Sequence, residues 1–175
     1  MADGVLSDPQ QSAQAITPFF EGTTTIGEWT LKCSTSDEPK TKDPNSVNFR
    51  RCLASLIVRA NSKDTPVALV AVVRLIQNSD DVAMILHVPP MTDTTSLVQV
   101  ALTDDQMVSL PVIQCDKNNC MALGVLKPDV YNAMLDRPRL AVIIPNGAGQ
   151  DSNMIVPLPL FGLSEAIRAM RHVQE

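Results

Sequence analysis

The stretch Gln114-Cys115-Asp116-Lys117-Asn118-Asn119-Cys120-Met121-Ala122 sets two cysteines either side of four turn-forming residues. Apolar segments flank it, Val108-Ser109-Leu110-Pro111-Val112-Ile113 before and Met121-Ala122-Leu123-Gly124-Val125 after. Asp and Asn bend a chain readily because their short side chains bond the nearby backbone. The stretch therefore reads as a β-hairpin whose mouth is clamped by a disulfide. The rest of the chain is read as strands packed around that hairpin.

The remaining cysteines are Cys33 and Cys52, separated by a polar loop at 34–48 that contains Pro39 and Pro44. Four cysteines allow three pairings. A short hairpin brings its flanks within disulfide reach, which makes Cys115–Cys120 the local pair and leaves Cys33–Cys52. In the loop-entropy account the bridges contribute about 2 and about 3 kcal/mol respectively. A structural zinc on four thiolates and four buried free thiols are the alternatives. Zinc sites usually gather cysteines in two close pairs, and only one pair is close here. Disulfides imply an oxidising compartment: periplasm, outer membrane or outside the cell.

At 175 residues, 45% of them apolar, the chain is long enough for one domain with a real core. Aromatics make up only 3%, so aliphatic side chains must fill that core. The net charge is −5 with no Lys/Arg cluster, which argues against a nucleic-acid partner. No apolar run is long enough for a helix to span a bilayer; the longest, at 67–73, is strand-sized. Met1-Ala2-Asp3-Gly4 leads into Ser- and Gln-rich sequence without a signal-peptide core. Two readings compete, a cytosolic protein and a mature exported protein whose signal peptide has been removed, and the cysteines favour the second. We expect a flexible arm over 1–23 and a single domain over 24–175.

Period-two patterning runs through most of that domain. In 24–33, read as the first strand, Trp29, Leu31 and Cys33 share a face. In 50–60, Cys52, Ala54, Leu56 and Val58 do so, with Ile57 out of step. The run 67–73 is apolar on both faces and reads as a central strand covered on both sides. In 82–88 the even residues make one apolar face and His87 lies on the other. Strands are also expected at 97–102, 139–144 and 155–158, the last pair joined by a turn at Asn146-Gly147-Ala148-Gly149. Helices are expected after Pro128, where proline suits a first turn, and after Gly162, where Leu163, Ala166, Ile167 and Met170 share a face. Many short strands and few helices predict an all-β fold, an antiparallel β-sandwich with one or two short helices near the C-terminus.

Chemistry-bearing motifs are scarce. His172 lies near the end of the chain and reads as solvated. His87 could approach Cys52, but a clamped cysteine is not a nucleophile. Asp80-Asp81 and Asp104-Asp105 are acidic pairs in turns, where solvated carboxylates are more common than calcium ligands. No phosphate-binding loop, nucleophile elbow or zinc-protease motif occurs. We expect no catalytic residues, no metal and no cofactor.

Several segments match a known pattern: Gly27-Glu28-Trp29-Thr30-Leu31-Lys32-Cys33, Arg51-Cys52, Leu110-Pro111-Val112-Ile113-Gln114-Cys115 with Cys120-Met121-Ala122, and Val156-Pro157-Leu158-Pro159-Leu160-Phe161-Gly162-Leu163-Ser164-Glu165-Ala166-Ile167. They cover 27 to about 170, and in them the chain resembles the invasion-associated locus B family of bacterial envelope proteins. It departs where the family has a Leu-Pro-Leu-Gly-like segment and this chain has Leu86-His87-Val88-Pro89-Pro90.

The resemblance implies an immunoglobulin-like sandwich, export to the periplasm, outer membrane or medium, and a part in entry into host cells, erythrocytes among them. The expected function is then non-enzymatic: binding a host-cell surface or envelope protein. A general periplasmic binding or chaperone-like role with no host component is the alternative. The loop at 34–48 is the expected contact region, with Lys40 and Lys42 as its candidate residues. Its base is tied by Cys33 and Cys52, which would lower the ordering cost of binding. Peptide mapping without reductant is expected to return Cys33–Cys52 and Cys115–Cys120; a Cys33–Cys115 link would overturn the hairpin reading.

Overall fold

The computed structural model describes residues 22–34, 47–59, 67–90, 97–103, 105–145 and 153–173. The strands are β1 (Gly22–Ile26), β2 (Trp29–Cys33), β3 (Phe49–Arg59), β4 (Val67–Ile76), β5 (Val82–Val88), β6 (Leu97–Ala101), β7 (Met107–Cys115), β8 (Cys120–Leu126), β9 (Arg139–Ile144) and β10 (Met154–Pro159). Helix α1 (Pro128–Leu135) follows β8, and α2 (Leu163–Val173) follows β10. The strands pair antiparallel in the order β1-β2-β3-β4-β5-β8-β7-β6-β9-β10.

Strand β7, the first arm of the clamped hairpin, decides the shape. Its first half pairs with β6, from Ala101↔Met107 to Leu97↔Pro111. Its second half pairs with β8, at Val112↔Ala122, Gln114↔Met121 and Cys115↔Cys120. The register shifts between Val112 and Gln114, so Ile113 is the extra residue of a bulge. A bulge bends its strand, and a bent strand that changes partners makes a corner between ladders. The all-β antiparallel expectation therefore holds, with two short helices toward the C-terminus. The immunoglobulin-like sandwich of two separate sheets is not what the pairing describes. Because β7 belongs to both ladders, ten strands form one continuous sheet, curled as a half-barrel.

Burial shows why the sheet must curl. Trp29 and Leu31 of β2, Ala54 of β3, Val73 of β4, Leu86 of β5, Ala122 of β8, Val100 of β6, Val142 of β9 and Leu158 of β10 all belong to one buried cluster. β2 and β10 are eight steps apart in the sheet, about 38 Å if it were flat. Instead the Trp29 indole Nε1 donates to the Pro159 carbonyl at 3.2 Å. The Glu28 N–H donates to the Phe161 carbonyl at 3.0 Å beside it. The two ends of the sheet thus meet at a seam. Trp29, fully buried, fills the core behind that seam.

The seam rests on a pair of glycines. The strand expected over 24–33 is a hairpin, because Gly27 turns the chain with φ +62°. Two-residue hairpin turns need such positive φ values. Gly162, with φ +94°, meets it from the other end of the sheet. A Cβ on Gly27 would come within 2.6 Å of the Gly162 Cα, and a Cβ on Gly162 within 2.7 Å of the Gly27 Cα. β1 begins at Gly22, just inside the expected arm; 1–21 lie outside the described residues, as does the turn expected at 146–149.

Both disulfides join residues directly opposite each other on neighbouring strands, Cys33–Cys52 between β2 and β3 and Cys115–Cys120 between β7 and β8. In the hairpin turn the Asp116 carboxylate accepts the N–H groups of Asn118 and Asn119 at 2.7 and 2.9 Å. These backbone bonds, that from Asn119 foremost, lower its pKa from the ordinary 3.8. At the opposite end of the sheet a clasp holds the helices. Tyr131 of α1 and Arg171 of α2 both donate to the Asp80 carbonyl at 3.1 Å, and Arg171 reaches the Tyr131 hydroxyl at 2.7 Å. Arg51 of β3 caps the far end of α2 by donating to the Val173 carbonyl at 2.9 Å.

The outer edge of β10 carries Pro157 and Pro159, whose missing N–H groups blunt it as a template for another strand.

Gly27→Ala and Gly162→Ala should each cost about 2 kcal/mol or more, since positive φ and a backbone clash act together. Gly124→Ala should cost less, because its new methyl would meet only the Leu110 side chain, at 3.0 Å. Thermal melts check the ranking; equal losses at all three sites would contradict the seam. For Asp116, a carboxylate pKa lowered in the folded state stabilises above the unfolded value and loses that contribution as pH falls through the folded one. Its NMR titration midpoint should therefore fall below 3.8, the ordinary value.

Candidate functional site

Successive strand residues point to opposite faces, so the sheet that closes on its core also presents an outward face. Cross-strand register lays that face out in rows. One row runs Ile57–Val70–His87–Met121–Gln114 across β3, β4, β5, β8 and β7. The next runs Thr30–Ser55–Val72–Ile85–Leu123. A third runs Lys32–Leu53–Arg74–Ala83–Val125. The middle row is aliphatic at its centre, through Val72, Ile85 and Leu123, while His87 and Arg74 stand at the centres of the rows on either side. Ile85, flanked by Val72 and Leu123, is only 8% exposed although it points outward, whereas Ile57 is 56% and Val125 43% exposed. Ile113, pushed out by the bulge, is 53% exposed beside them.

Within these three rows the charged side chains are Lys32 and Arg74, and no Asp or Glu stands among them; just beyond, Asp81 is paired with Lys127. The chain as a whole has 19 acidic residues against 14 Lys and Arg. Arg74 is held in place, its guanidinium 4.5 Å over the Phe49 ring and donating to the Arg50 carbonyl at 2.9 Å. Such a face can take up apolar surface at its centre and negative charge at its margin.

Helix α2 packs against β1–β4, and its Leu163, Ala166, Ile167, Met170 and Val173 belong to the buried cluster on the concave side. The two-sided cover expected for 67–73 is therefore supplied differently. Odd residues Leu69, Ala71 and Val73 are buried in the core, while Val70 and Val72 are half-buried among their row neighbours on the outward face.

The other candidate residues are not brought together into a reactive site. His87 is half-exposed on the outward face, whereas Cys52 is buried on the inner face and bonded to Cys33. His172 is exposed on α2. The Asp80-Asp81 turn is tied to the helices through the Asp80 carbonyl and through the Asp81 carboxylate, 3.0 Å from the Lys127 ammonium. Among the described residues no three His, Cys, Asp or Glu side chains gather at metal-binding distance. Lys40, Lys42 and Asp104 lie outside the described residues. Sequence reasoning did not isolate the outward face. Its signal was the two-sided apolarity of 67–73, read as a central strand covered on both sides.

Comparison with known proteins gives three results. A sequence search of curated proteins finds no match. The crystal structure of invasion associated protein B from Bartonella henselae superposes with a TM-score of 0.65 at 16% identity, covering 87% of this chain and 96% of that one. At that identity the likeness establishes a shared fold. The invasion associated locus B (IalB) protein family matches residues 29–171. That span runs from Trp29 at the seam to Arg171 in the helix clasp, and the chain belongs to the invasion associated locus B family.

Proposed function

We propose that this chain is an exported, non-enzymatic binding protein that takes part in bacterial invasion of host cells, and that it holds its surface partner on the outward face of the sheet. Membership of the invasion associated locus B family supports the invasion role. The observation that carries the binding mode is the aliphatic field around Val72, Ile85 and Leu123 with the exposed Ile57, Ile113 and Val125 at its border. Aliphatic surface of this kind releases water on contact, and an exposed cluster of it marks an interaction site. The two disulfides suit such a protein to a periplasmic, outer-membrane or extracellular setting.

The test separates the face from the loop at 34–48. Ile57→Ser combined with Val125→Ser should leave the melting temperature within the scatter of surface variants and weaken host-cell binding about tenfold or more. Lys40→Ser combined with Lys42→Ser should bind as the parent does. The reverse result would move the contact to the loop. If bacteria lacking the protein enter host cells normally but show envelope defects, the general envelope role replaces the invasion role.

A further inference from the structure

We propose that the outward face docks on a bilayer surface rich in anionic phospholipid. The proposal rests on the binding reading above and names the kind of surface that the face meets. Three observations carry it. The face is convex, because the core and α2 occupy the other side of a sheet whose ends meet at Trp29 and Pro159. Polypeptide partners gain most of their affinity from anchors set in pockets, and a convex face is poorly shaped to offer them. A bilayer needs no pocket, only apolar side chains at the boundary between headgroups and chains.

The charge pattern points the same way. A net-acidic chain carries Lys32 and Arg74 on this face and no carboxylate among the rows. That single sign also opposes self-association, since two copies meeting face to face would set cation against cation. Lys32, exposed on β2, has a long apolar stem that can lie along the surface while its ammonium reaches a phosphate. The exposed Ile57 and Val125 stand on either flank of the crest, where a shallow contact would cover both.

The experiment uses the full oxidised chain and co-sedimentation with vesicles of phosphatidylglycerol mixed with phosphatidylcholine, and of phosphatidylcholine alone. Binding is expected to the mixed vesicles only and should fall as salt is added. Lys32→Ser should lower the partition about fivefold, one near-surface cation's share. Arg168→Ser, exposed on α2 on the other side of the sheet, should leave it unchanged. Equal binding to both vesicle types, no binding to either, or a matching loss in the Arg168 variant would overturn the proposal. If vesicles are not bound while Ile57→Ser with Val125→Ser still weakens host-cell binding, the face binds a polypeptide: the lipid proposal falls and the binding reading stands. If vesicle binding behaves as expected but that double variant binds host cells normally, the lipid proposal stands and the binding reading falls.

Discussion

Nine of the ten strands bury side chains in one cluster, with Ile26 of β1 packed against it, and that constraint shapes everything else in the molecule. A sheet this wide can put one face around a single core only by bending. The bend is taken at Ile113, where β7 passes from β6 to β8, and the closure is made where Gly27 meets Gly162. Neither glycine could carry a side chain there. The indole of Trp29 then fills the space that the closure creates, and its N–H finds the Pro159 carbonyl rather than water. An apolar body with one polar tip suits that position.

Much of this frame could be read from the residues in order. Period-two alternation placed most of the strands, and the cysteine spacing gave both bridges. Pro128 and the stripe from Leu163 to Met170 located the helices. What could not be read is instructive. Ile26 is the one apolar residue of β1, and a single residue out of phase with Trp29, Leu31 and Cys33 does not by itself reveal the turn at Gly27. The bulge at Ile113 depends on which partners flank β7, and pairing between distant strands leaves no local mark. The outward face failed for a different reason. A run apolar on both sides signals burial, and local sequence cannot say whether a helix, a second sheet or neighbouring side chains provide it.

The residues that carry the family likeness are mostly those that make the frame. Gly27, Trp29 and Gly162 form the seam, and Cys33, Cys52, Cys115 and Cys120 the clamps. They hold the shape; of the outward face, Thr30, Lys32, Ile113, Gln114 and Met121 lie within those matching segments and Ile57, His87 and Val125 outside them. A fold can be kept while the surface it presents is retuned.

The seam also sets an order of events in time. Trp29 leaves the ribosome early, whereas Pro159 and Phe161 follow 130 or more residues later. The disulfides join neighbouring strands, so neither can hold the ends of the sheet together in the meantime. Until the last quarter of the chain has emerged, the first hairpin has no carbonyl at Pro159 to bond and its indole has no closed core to enter. Contacts so distant in sequence form slowly, because the entropy of the long loop must be overcome first. A chain made N-terminus first thus keeps the two ends of its sheet apart until its final strand and helix arrive.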